Sequence, residues 1–134
     1  MKLGVQAFTI LEECLQDFAG TLREVHDLGF HFMEWINLIA DEDPGLGNGL
    51  SPKESLKVFT DNDIRLTGAI FVGNDTKNLF FDMDRIQRII DWYQEAGCTT
   101  LGIADDKFVE EDFFKRWMDA YNDRGRRCKE AGIH

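Results

Sequence analysis

The feature that most constrains this chain is a joint repeated along its whole length. Glu24-Val25-His26-Asp27-Leu28-Gly29-Phe30, Tyr93-Gln94-Glu95-Ala96-Gly97-Cys98 and Cys128-Lys129-Glu130-Ala131-Gly132-Ile133 each join a helix end to a glycine and then to an extended run. Phe59-Thr60-Asp61-Asn62-Asp63-Ile64 is a fourth joint, with Asp63 in the glycine slot. Positions 29, 63, 97 and 132 lie 34, 34 and 35 residues apart. The residue just past a helix end takes the left-handed conformation, which glycine adopts freely and aspartate tolerates. A fixed period of this size predicts one structural unit used four times.

The segments between the helices decide what that unit is. Residues 3–9, 30–37, 64–72 and 99–104 are short, rich in aromatic or β-branched residues, and bounded by glycine or acidic turns. They are predicted to be strands, which excludes an all-helical solenoid. Their near-continuous apolar character suits a parallel sheet. Apolar stripes predict the helices: Leu15, Phe18, Leu22, Val25 and Leu28; then Leu79, Met83, Ile86, Ile90 and Tyr93; then Phe114, Trp117, Tyr121, Cys128 and Ala131, with Arg124 at the surface edge. Ser51-Pro52-Lys53-Glu54 is a capping box with proline at the first helical position. Four βα units in a row fit a doubly wound sheet or a barrel. The even period, and the acidic, glycine-free Thr9-Ile10-Leu11-Glu12-Glu13 after the first strand, favour half of a (β/α)8 TIM barrel over a dinucleotide-binding sheet. The chain is expected to be one α/β domain, residues 1–134, reaching the point where a fifth strand begins.

Composition excludes several function classes. Fifteen basic against 25 acidic residues give a net charge of −10, which repels phosphate backbones and anionic lipid. Nucleic-acid and membrane partners are not expected, and there is no run of 18 apolar residues. Met1-Lys2-Leu3-Gly4-Val5 passes directly into a strand pattern, so no signal peptide and a cytoplasmic location are expected. Cys14, Cys98 and Cys128 form no CxxC pair and are read as buried or free thiols in a reducing compartment. Ser51 and Ser55 are accounted for by the second helix, and no hydrolase or P-loop motif occurs.

Gly4-Val5-Gln6-Ala7-Phe8-Thr9 followed by Asp17-Phe18-Ala19-Gly20-Thr21-Leu22 resembles the opening of xylose isomerase-like TIM barrels, the sugar phosphate isomerase/epimerase group. Gly49-Leu50-Ser51-Pro52-Lys53-Glu54, Leu66-Thr67-Gly68-Ala69, Gly97-Cys98-Thr99-Thr100-Leu101-Gly102-Ile103 and Arg126-Arg127-Cys128-Lys129-Glu130-Ala131-Gly132-Ile133 continue the likeness in order. The resemblance implies isomerase or epimerase chemistry on a small sugar, sugar phosphate or cyclitol. A divalent metal (manganese, magnesium or zinc) would polarise the sugar oxygens while carboxylates move the proton. In that family the metal ligands come from the fifth to eighth strands, so no metal is expected for this chain alone, and little activity. Ile70 and Phe71 stand where the family usually has a histidine, and the fifth strand is reduced to Ile133 and His134.

Glu34 lies between Met33 and Trp35 in an apolar strand. Its match to a family glutamate implies contact with substrate or its neighbours; the alternative is a structural acid paired with a base. Gln6 resembles a polar residue lining the same pocket, or else is a satisfied interior amide. No catalytic residue and no metal ligand is assigned. His31, at the start of a strand, and His26, on a helix, are expected at the surface; His134 could ligate only with help from elsewhere. Asp41-Glu42-Asp43-Pro44-Gly45-Leu46-Gly47-Asn48-Gly49 is expected to be a flexible loop over the pocket rim. Its glycines could cradle phosphate and its acids a cation, though it lacks calcium-loop spacing. Asp105-Asp106 are rim acids or the start of a helix. A second functional reading is a non-catalytic half barrel that homodimerises through apolar edges of its first and fourth strands; an abasic-site endonuclease is disfavoured by the charge.

Overall fold

In a computed structural model, residues 3–38, 42–71, 81–103 and 111–134 are described. Four strands, β1 (Gly4–Gln6), β2 (Phe32–Asn37), β3 (Arg65–Phe71) and β4 (Thr100–Ile103), form one parallel sheet in the order β1-β2-β3-β4. Helices α1 (Leu11–Gln16) and α2 (Phe18–Asp27) follow β1, α3 (Pro52–Asp61) follows β2, α4 (Met83–Glu95) follows β3 and α5 (Glu111–Glu130) follows β4. Sequence order equals spatial order, as in a barrel wall and unlike a doubly wound sheet, where the order reverses. The four βα units are those expected, with shorter strands; Val72 and Ala104 fall outside the described residues.

The joints explain the regularity. Gly29, Gly97 and Gly132 have φ of +89°, +75° and +73°, and Asp63 adopts +53°. Each helix ends at its joint by the same bonds: Phe30 N to Val25 O, Ile64 N to Phe59 O, Cys98 N to Tyr93 O and Ile133 N to Cys128 O. The next strand then pairs two residues on. Arg65 N donates to His31 O, and His134 N donates to Thr99 O while Leu101 N donates to His134 O. Ile133 and His134 therefore occupy the place of a fifth strand beside β4. The β4 edge is not open along its length, contrary to expectation, because the fourth joint delivers these residues to it.

Side-chain alternation splits the sheet into two faces. Met33, Trp35, Leu66, Ala69 and Phe71 are buried with Leu22, Phe59, Ile89, Ile90 and Tyr93 in one core between sheet and helices. Phe18 packs edge-on against both Trp35 and Phe59, with ring centroids 5.7 and 5.3 Å apart. Burial of this many large apolar side chains, each worth about 1.5–3 kcal/mol, makes the helix-covered face the main source of stability.

Three expectations fail locally. The first strand stops at Gln6, and Ala7–Ile10 form a 3-10 turn in which the Thr9 hydroxyl donates to Gln6 O at 3.1 Å; such side-chain bonds offer the backbone a turn in place of a ladder. The first apolar stripe is broken at Asp17, whose Oδ1 accepts from Gly20 N at 3.0 Å and starts α2 afresh. Leu15, before the break, and Leu28, past the end of α2, are exposed. On α5, Arg124 is buried, while Phe114 and Tyr121 stay exposed, Phe114 stacked on Trp117 and Tyr121 tilted against it. The Ser51 capping box forms as expected.

Candidate functional site

Because Met33 and Trp35 face the helices, Glu34 between them faces the opposite, concave side. Parallel register carries one row of residues across that side: Gln6 opposite Glu34, Glu34 opposite Gly68, and Gly68 opposite Thr100. Gln6 Nε2 donates to Glu34 Oε2 at 3.0 Å. Gly68 puts no side chain into this row: a Cβ there would be in van der Waals contact, 3.4 Å from Thr100 O, 3.5 Å from Thr100 Cβ and 3.6 Å from Glu34 Oε1. A slip at Met33/Glu34 in the β2–β3 register, where Thr67 Oγ1 donates to Met33 O, puts Gly68 opposite the glutamate. Gln6 and Thr100 are exposed and Glu34 half-buried. Among the described residues no lysine or arginine lies within ion-pair distance of Glu34, and its side-chain partner there is the Gln6 amide. Thr100 was missed in the sequence, although strand parity plus the repeat would have placed it in the row.

These groups can accept and donate hydrogen bonds to a polyhydroxylated ligand. They do not fit a divalent-metal centre, having one carboxylate and no imidazole. Ile70 and Phe71 supply no ligand; His134 lies along the β4 edge, joined by its backbone to Thr99 and Leu101. Burial pushes the Cys98 thiol up, assisted weakly by the charge of Glu34, so this nearby sulfur stays protonated.

The loop after β2 is not the free rim segment expected. Asp43 Oδ1 and Oδ2 accept from Gly45 N at 2.7 Å and Gly49 N at 3.2 Å, filling with a carboxylate of the chain amides that a phosphate would need. Asn37 Nδ2 donates to Asp43 O and Gly45 O, Tyr93 Oη to the same Gly45 O at 2.7 Å, and Trp35 Nε1 to Leu46 O at 3.1 Å. Gly45 lies so close to Trp92 that a Cβ would fall 2.3 Å from Cε2. Buried donors on β2 and α4 strap this loop to the body. Asp41 and Asp105-Asp106 lie outside the described residues.

At the amino end of the sheet, His26 and His31 meet Asp63. Sequence reasoning placed both histidines on the surface, where they are, but did not bring them together. The signal was the aspartate that replaces glycine at the second joint. A groove of about 430 Å³ beside them is lined by His31, Asp63 and Phe59 among others, and a cavity of about 360 Å³ lies between α4, α5 and β4. Neither is lined by Gln6, Glu34, Gly68 or Thr100. No described helix is long and apolar enough to cross a membrane.

No protein-family model matches the sequence, and no curated protein matches it either. Solved structures do. A sugar phosphate isomerase/epimerase from Parabacteroides distasonis superposes with a TM-score of 0.79 at 22% identity, over 98% of this chain and 49% of that one. D-psicose 3-epimerase, solved in the presence of D-fructose, matches with a TM-score of 0.68 at 19% identity, over 100% and 50%. The IOLI protein with a bound zinc atom matches with a TM-score of 0.67 at 19% identity, over 99% and 49%. The chain thus spans about half the length of each structure, and at these identities the likeness is one of fold. Parallel strands in sequence order, repeated joints and these superpositions together identify the fold as one half of a (β/α)8 barrel.

Proposed function

We propose that this chain is the substrate-contacting N-terminal half of a sugar isomerase or epimerase barrel, with Gln6, Glu34 and Thr100 binding the hydroxyls of a small sugar. The observation that carries this is the Gln6–Glu34 pair on the concave face, beside Gly68, which adds no side chain to the row. A carboxylate accepts strongly from two neighbouring hydroxyls. The Gln6 amide holds one carboxylate oxygen and leaves the other to the ligand, and Thr100 offers a donor and an acceptor across the gap. Among the described residues no basic side chain pairs with Glu34, which favours neutral hydroxyl groups over a phosphate ester. Moving a proton between carbons needs an acid and a base; with one carboxylate in this row, the proposed role of the chain is binding and orientation. The row offers no fitting ligand set for a zinc ion such as the one bound in the IOLI structure. The proposal is tested by ligand-observed NMR with millimolar D-fructose and the purified chain. Saturation transfer to the sugar is expected, with loss in Glu34→Gln and weakening in Gln6→Ala. Undiminished transfer in both variants would remove the row from the site, and brisk aldose–ketose exchange by the chain alone would overturn the binding-only role.

A second reading, a homodimer closing the barrel, is supported by β1, which pairs with β2 alone among the described residues. Unpaired strand edges recruit other strands. With Ile133-His134 already beside β4, the β1 edge is the more accessible docking side.

A further inference from the structure

The second joint departs from the other three, and the departure has a chemical correlate. Where the others use glycine, Asp63 holds a left-handed φ of +53°, a conformation that costs a residue with a side chain about 1 kcal/mol. Its carboxylate faces two imidazoles from the neighbouring unit. Asp63 Oδ2 lies 3.6 Å from His26 Nε2 and 3.4 Å from His31 Nδ1. One ligand atom from each of the three side chains lies within 4.8 Å of the others. The rings of His26 and His31 meet edge to face at 5.0 Å. On the far side of His26, Nδ1 is 3.5 Å from Asp27 Oδ1. His31 Nδ1 also lies 3.4 Å from Asp63 O.

We propose that His26, His31 and Asp63 form a binding site for a borderline divalent transition metal, zinc or its cobalt analogue, at the amino end of the barrel. Metal–nitrogen and metal–oxygen bonds of about 2.0–2.2 Å arranged tetrahedrally put neighbouring donor atoms about 3.3–3.6 Å apart. The two carboxylate–imidazole separations are of that size. Two nitrogens and one carboxylate suit zinc, cobalt or nickel, whereas magnesium and calcium require oxygen-rich shells. Asp27 stands where a carboxylate commonly receives the second ring N–H of a ligating histidine, fixing its tautomer and orientation. All three ligands are solvent-accessible, so water completes the sphere and exchange is fast. The site joins the first and second joints, and metal there cross-links two βα units. This site is separate from the Gln6–Glu34 row and does not depend on the sugar proposal.

Zinc titration of the purified chain by calorimetry, with the thermal midpoint followed in parallel, tests the assignment. One equivalent should bind and raise the midpoint. Asp63→Gly restores the glycine of the other joints, so it should fold at least as well without metal, yet lose at least about tenfold in zinc affinity. His26→Gln should lose as much, and decides alone should Asp63→Gly not fold. Cobalt should give visible ligand-field bands of four-coordinate intensity without thiolate charge transfer, which distinguishes this site from Cys128. Glu34→Gln should leave zinc binding unchanged. Absence of stoichiometric zinc binding, or binding that persists in His26→Gln, overturns the proposal.

Discussion

The strap over the β2 end makes a quantitative prediction, because two buried side chains share one acceptor. Gly45 O receives Asn37 Nδ2 and Tyr93 Oη, each at 2.7 Å, and both residues are at most 1% exposed. A carbonyl oxygen has two lone pairs, so either donor alone still satisfies it. Tyr93→Phe removes one neutral hydrogen bond and leaves the carbonyl paired, which costs about 1 kcal/mol. Asn37→Ala also loses the bond to Asp43 O at 2.8 Å and empties some volume, for roughly 2–3 kcal/mol. The double variant leaves Gly45 O without either donor inside the protein. Stranding a buried acceptor costs about 1–3 kcal/mol, so the combined loss should exceed the sum of the single losses by about 1 kcal/mol or more. Urea unfolding followed by tryptophan fluorescence measures this, provided the denaturant slope is common to all four proteins. Strict additivity, within about 0.3 kcal/mol, would refute the shared-acceptor reasoning.

Two further outcomes follow from burial and from the open edge. Burial first, and then the adjacent Glu13 charge, push the Cys14 thiol up to about 11, and Tyr93 and Cys98 are raised in the same direction by burial. The folded state then keeps a proton that the unfolded chain releases, so stability is complete below about pH 9 and declines between pH 9 and 11. Cys14 alone should account for roughly 2–3 kcal/mol of that decline, and Cys14→Ala should flatten it in a reduced-sample pH series of urea melts. Light scattering at micromolar concentration should report a dimer that a proline in β1, Val5→Pro, reduces to monomer; a well-folded monomer in the parent chain would contradict edge pairing.

The parts legible in the sequence were those governed by local rules. The joints declare themselves through glycine, the strands through apolar character between joints, and the α3 start through Ser51 and Glu54. Glu34 could be assigned to the concave face because Met33 and Trp35 are unmistakably core, and parity then fixes what lies between them. Its pairing with Gln6 required a register that no local rule supplies. The strap was illegible for a related reason: Asn37 and Tyr93 belong to distant segments, and their common target is a backbone carbonyl, which has no letter in the sequence. The break at Asp17 was missed because an apolar period of three or four passes through it unaltered, whereas the capping carboxylate restarts the helix there.

The uniform joints also bear on how such a chain can tolerate change over time. At the amino ends of the strands the path from joint to first pairing residue is constant at two residues, from Gly29 to His31, Asp63 to Arg65, Gly97 to Thr99 and Gly132 to His134. One residue added there would turn every side chain of the following strand to the wrong face. At the carboxyl ends the path is elastic: Gln6 reaches Leu11 almost at once, while Asn37 reaches α3 only at Pro52. Additions at that end alter what surrounds Glu34 and leave the phase of the next strand to be reset at its own joint. Changes in the length of these segments should therefore leave the phase of the strands intact, but exchange of the strapped residues Asp43, Gly45 and Leu46 would also cost the bonds they receive from Asn37, Tyr93 and Trp35.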